Sequence, residues 1–196
     1  LNSDFLLIHN SQLSTVFISK QLKENNIAEY LLYMWQVEDM IRANGMDMER
    51  IKTTLIAPAR LDAGREKELV EWYENLIEMM RLEGVLEKGH LQINKNIITL
   101  LTDLHLQLLK STKYPFYSAA YYKALPFIVE LRTQGDNRNL SELENCFEAL
   151  YGLLLLKLQK RDISEGTLQA TKAISQLLGI LSDYYKKDKA GELELD

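Results

Sequence analysis

The sequence predicts an all-α fold: a multi-helix bundle of about seven or eight antiparallel helices around a central helix at residues 27–44. Three observations carry this. Apolar residues recur at spacings of three and four along most of the chain, and no stretch alternates as a half-buried strand would. Only 3 prolines and 9 glycines occur among 196 residues, so long helices go uninterrupted. The periodic stretches begin at Asn, Asp or Ser and end at Gly or Pro, which is the chemistry of helix ends.

The bulk numbers fit one domain with a sizeable core. Hydrophobic residues make up 46% and charged residues 26%, a globular balance rather than a disordered one. A formal net charge of -5 gives no pull toward nucleic acid or anionic membrane. The single Cys146 excludes an intramolecular disulfide and a cysteine metal cage, and it reads as a small buried hydrophobe in a cytoplasmic protein. The densest apolar run, residues 150–158, is about half the length of a membrane span.

Residues 1–15 are polar and aperiodic, and they are expected to precede the domain, with Val16 matching a natural start. The domain is expected over residues 16–187, followed by a charged, fraying tail at 188–196. A short first helix at 17–23 stops at Asn25-Asn26. Asn26 caps the central helix, with Glu29 at capping-box spacing, and Gly45 supplies the left-handed stop. Asp47 caps a shorter helix that Pro58 ends.

The next helix runs from Asp62 to about Glu83, with Leu69, Trp72, Tyr73, Leu76, Met80 and Val85 recurring at three and four along its apolar face. A helix through Lys110 opens at Ile93-Asn94. Pro115 fits the first turn of the segment that reaches Thr133, which is broken or kinked at Pro126. A turn follows at 135–139. Ser141 and Glu144 form a capping box for the helix running to Lys160, whose stripe is Leu143, Phe147, Leu150, Leu154 and Leu158. Ser164 begins the last helix, with Ala170, Ala173, Ile174, Leu177, Ile180, Leu181 and Tyr184 inside.

One residue breaks the apolar pattern. At about 100° per residue, Glu38 falls within the stripe of Ile27, Tyr30, Leu31, Met34 and Ile41. A carboxylate is almost never fully buried unless paired. Arg42, four residues on, gives the favourable order for a helical ion pair, and a structural Glu38–Arg42 pair is the expected solution. Asp39 projects to another side, within reach of a neighbouring helix.

His105 sits on the apolar face of its own helix with Ile97, Leu104 and Leu108, where a satisfied core histidine is the ordinary reading. Facing Glu38, it would complete a couple suited to proton transfer or metal binding. Metal chemistry has little else to use. The lone Glu87-x-x-His90 is interrupted by Gly89, and no His-Glu-x-x-His, phosphate loop or nucleophile elbow occurs. No metal, cofactor or catalytic residue is expected.

The aromatic group Tyr114, Phe116, Tyr117, Tyr121, Tyr122 and Phe127, with Lys110, Lys113 and Lys123, reads first as core and boundary packing. A ligand groove beside Pro126 comes next, and stacking of single-stranded nucleic acid last.

The block NIAEYLLYMWQVEDMIRA, residues 26–43, resembles the opening of a family of small all-helical Bacteroides-type proteins known as a domain of unknown function. The resemblance implies an all-helical cytoplasmic bacterial protein and carries no activity, cofactor or site residue. The leading expectation is therefore a non-enzymatic helical binding or interaction module. Its partner would be a second copy or another protein, because Leu153, Leu155 and Leu156 lie off the main stripe of their helix. The alternative is a small-molecule-binding protein or enzyme with a pocket lined by Trp35, Glu38, Arg42, His105 and Tyr121.

Overall fold

The structure, a computed structural model, describes residues 15–133 and 140–195. The expected N-terminal segment, up to residue 14, and the turn at 135–139 lie outside the described residues. Eight α-helices and no strand occur among them, arranged as a bundle. They are α1 (Thr15–Asn25), α2 (Ile27–Ala43), α3 (Met48–Ile51), α4 (Ala63–Leu82), α5 (Gln92–Lys110), α6 (Pro115–Thr133), α7 (Glu142–Leu158) and α8 (Glu165–Lys189).

Helix α2 is the centre. It packs against α1, α4, α5, α7 and α8, and eleven of its residues are buried, among them Leu31, Trp35, Val37, Glu38 and Ile41. A helix apolar around most of its circumference must be enclosed on most sides. Its start follows the cap chemistry, since the Asn26 side chain accepts from the Glu29 N–H at 3.2 Å. Ser182 on α8 accepts from the Ala28 N–H at 3.2 Å and ties this end to the last helix. Asp47, Asp62, Ser141 and Ser164 cap α3, α4, α7 and α8 in the same way.

Four details differ from the sequence expectation. The short helix after Asp47 does not simply stop at Pro58. It widens into a π-turn at Lys52–Ile56 and tightens into a 3-10 turn at Ala57–Ala59, ending where Arg60 adopts a left-handed φ of 49°. Helix α6 runs unbroken through Pro126; the ring lies on the exposed side, where water can hydrate the carbonyl it leaves unpaired. Leu158, expected in the core stripe of α7, is 45% exposed as that helix ends, while Leu153, Leu155 and Leu156 are half-buried. Helix α8 extends to Lys189, and beyond it Leu193 and Leu195 lie against the core while Tyr114 donates to the Glu194 carbonyl at 2.7 Å. Two leucines in the charged tail give it something to bury. Among the described residues no helix is long and apolar enough to cross a membrane.

Candidate functional site

The polar centre of the molecule forms where α2 meets the start of α5. Leu91, at the N-cap position of α5, offers no side-chain cap, so the first N–H groups of a 19-residue helix need an outside acceptor. Glu38 supplies it. Its side chain is wholly buried, and it accepts from the Leu91 N–H at 3.1 Å and from Asn94 Nδ2 at 2.7 Å. Its other oxygen bonds His90 Nδ1 at 2.6 Å. Glu83 closes the same helix end from outside, accepting from the Gln92 N–H at 2.6 Å. A negative charge at a helix N-terminus also meets the positive end of the dipole. The buried carboxylate and the uncapped helix solve each other.

The expected Glu38–Arg42 pair does not form. Arg42 turns the other way and binds Asp39 at 2.8 Å, with Nη2 donating to the Val85 carbonyl at 3.1 Å and to the Gly89 carbonyl. The physical reason is competition. Arg42 lies on the flank of the stripe, where the loop between α4 and α5 presents unpaired carbonyls, and five fixed donors suit a cluster of acceptors better than one buried oxygen. Gly89, with φ of 85°, permits the backbone reversal that delivers both its carbonyl and His90 to α2. Asp39 does reach a neighbouring helix, since Tyr151 of α7 donates to it at 2.6 Å.

Trp35 completes the node. Its indole stacks on the His90 ring at 3.9 Å and 10°, and Phe147 and Tyr151 meet it edge-on. His90 Nε2 points toward Glu148 at 3.8 Å. Burial alone would push the His90 pKa down, but the hydrogen bonds and charges of Glu148 and Glu38 together outweigh it and raise the value above 6.5. When protonated, the ring would place its charge between the two carboxylates and over an indole face that favours a cation. Burial, and then the Glu38 charge, raise Tyr30 in turn. Trp35 Nε1 and Asn94 Oδ1 are buried without a protein partner.

Trp35, Glu38 and Arg42 thus share one node, whereas His105 and Tyr121 belong to a second cluster. His105 Nδ1 bonds the Tyr117 hydroxyl at 2.5 Å, and Tyr121 packs edge-on against its ring at 5.1 Å. Tyr121 donates to Glu142 at 3.1 Å, and burial followed by that carboxylate pushes its pKa up to about 12. Glu38 and His105 have no bonding partner in common. A cavity of about 350 Å³ lies between the C-terminal ends of α1 and α8, lined by Lys23, Ser182, Tyr185, Lys186 and Lys189, and none of the five sequence-selected residues borders it.

Three members of the node escape a sequence reading: His90, Asn94 and Glu148. His90 stands in a loop and shows only as half of a broken metal motif. The signal that finds it is the missing cap at Leu91, which demands an acceptor from elsewhere.

Chemically, a carboxylate on Nδ1 with Nε2 turned outward is the arrangement that orients a histidine base or metal ligand. Here Nε2 meets only Glu148, and no group of three or more metal-capable side chains occurs among the described residues. The node is built to hold the α4–α5 loop and the start of α5 onto α2.

Comparison with curated proteins gives no match, and neither does comparison with solved structures. A family model described as a domain of unknown function (DUF4924) matches residues 16–192. This chain belongs to that family.

Proposed function

We propose that this protein is a non-enzymatic, cytoplasmic helical binding module that receives another amphipathic α-helix on the outer face of α6. One observation carries the reading: α6 presents an apolar seam to solvent. Pro115, Ala119, Tyr122, Pro126, Val129 and Thr133 follow one another at spacings of four, three, four, three and four, and all six are exposed. That is the heptad spacing with which helices pack side by side. Phe116, on the flank of the seam, is 84% exposed, Tyr122 66% and Val129 53%.

Scattered exposed apolar residues need no explanation, but an aligned row of them marks an interaction surface. The inner side of the same helix is spent on α5, α7 and α8, so the outer seam is surplus to folding. The geometry at Glu38 supports the non-enzymatic part, because both oxygens of its carboxylate are committed to Leu91 N–H, Asn94 Nδ2 and His90 Nδ1 of the chain itself.

A photo-reactive phenylalanine analogue placed at Tyr122, expressed in the native host and irradiated, tests the reading. A discrete covalent adduct is expected, lost when Val129→Glu is added and not formed from a control position at Glu71 on α4. Absence of an adduct at Tyr122, or the same adduct from Glu71, overturns it.

A further inference from the structure

Resting on that docking face, we infer that the helix it receives is α6 of a second copy of this chain, running antiparallel, with Lys123 of each copy against Glu130 of the other. The charges beside the seam set the pairing. Phe116, Lys123 and Glu130 are each exposed and lie one residue past Pro115, Tyr122 and Val129, so they form a single flanking row at seven-residue spacing. Two helices pairing through heptad seams bring their flanking rows together, and those rows set orientation and register.

An antiparallel pair sets alternate seam positions opposite one another. In one register Pro126 faces Val129 of the partner copy and Tyr122 faces its Thr133, each contact occurring twice about the two-fold axis. The flanking row then sets Lys123 against Glu130 of the partner copy, also twice. Slipped by one heptad, Ala119 faces Val129, Pro126 faces Tyr122, and the two Lys123 side chains meet at the axis. Like charges at an axis disfavour that register. A parallel pair instead sets Lys123 against Ser118 and Glu130 against Leu125, with no ion pair gained. The charge pattern of α6 is complementary to itself in one arrangement.

An interface of this kind is isologous and closes as a dimer. The seam from Tyr122 to Thr133 spans only about 16 Å at the rise of an α-helix. That places the contact among small, transient interfaces, so the dimer assembles reversibly at protein concentrations on the order of tens to hundreds of micromolar.

Sedimentation equilibrium of the purified full chain over that range tests the inference. Wild type is expected to dimerise. Lys123→Glu sets Glu against Glu in both contacts, and Glu130→Lys sets Lys against Lys, so each variant alone should associate at least about tenfold more weakly. An equimolar mixture of the two restores opposite charges in both contacts and should regain association, with unchanged urea midpoints showing that both variants fold. A monomeric wild type, single variants that associate like wild type, or a mixture no better than its components overturns the inference. Failure of the broader reading looks different. A wild-type monomer whose Tyr122 adduct in the host contains a different protein removes only the second copy. A dimer that survives Tyr122→Glu/Val129→Glu removes the docking face as well.

Discussion

Replacing Glu38 with alanine removes the acceptor that serves Leu91 N–H, Asn94 Nδ2 and His90 Nδ1 at once. The first two donors sit in fully buried surroundings, and each orphaned donor costs about 1–3 kcal/mol. His90, with 19% of its side chain exposed, can turn one nitrogen to water and adds less. The two buried donors together suggest a loss of about 3–5 kcal/mol, the range found when one member of a buried charge pair is deleted. With a urea slope of about 3 kcal/mol per molar for a chain of this size, the unfolding midpoint should fall by roughly 1–1.7 M at unchanged slope. Glu38→Gln keeps one acceptor oxygen and should cost about half as much. The assay is urea titration followed by circular dichroism. An alanine variant within about 0.5 kcal/mol of wild type would refute the reasoning, because surface-like behaviour is incompatible with an acceptor shared by two buried donors.

The two described histidines should respond to pH with opposite signs. His90 is raised, so its contribution to stability is fully present below the unfolded value near 6.5 and is lost as pH rises through its higher folded value. Proton NMR should place its titration above 6.5, and Glu148→Gln should bring it down. His105 is lowered by burial, against a smaller opposing pull from Glu142, so its contribution is present above 6.5 and is lost as pH falls toward its folded value. His105→Gln should accordingly flatten the loss of stability on acidification measured by urea midpoints, and a steeper acid loss would contradict the assignment. Cys146 is buried and its thiol is pushed up to about 12, chiefly by burial. A chromogenic disulfide reagent at pH 8 should leave it unmodified in the folded chain and label it once in urea; fast labelling of the native protein would contradict its placement.

The architecture was legible because its signals are local. Asn26, Asp47 and Ser141 each cap the helix they were expected to cap, and Asp62 and Ser164 cap the helices expected to begin at them, since a cap needs only its own chain over three residues. Glu38 was legible as an anomaly for the same reason: its misplacement is a matter of period. Its partner was not. Arg42 was nearest in sequence, but the donors that reach Glu38 come from residues 90, 91 and 94, more than fifty positions away. Helical spacing cannot see a contact made by a loop that folds back at Gly89. His105 failed as a partner for a related reason, because the apolar face of α5 shows that a residue points inward and not which helix it meets. The buried face of α8 was drawn slightly rotated: Thr171, Leu178 and Ser182 are buried, while Ala170, Ile180 and Tyr184 are half-buried. A hydroxyl that returns its proton to its own helix, as Ser182 does to the Leu178 carbonyl at 2.9 Å, can enter a core that hydropathy would deny it. The α6 seam was hidden in its composition. With apolar residues on all sides, periodicity alone did not distinguish the face turned inward from the face turned to solvent.

Stability rests on Glu38, whereas the proposed binding face is the outer side of α6. Urea titration of Tyr122→Glu/Val129→Glu in dilute solution tests that separation most directly. Two charges added to a free face should leave the midpoint within about 0.5 kcal/mol of wild type. A loss as large as that of Glu38→Ala would place Tyr122 and Val129 in the core and leave α6 with no surface to offer a partner.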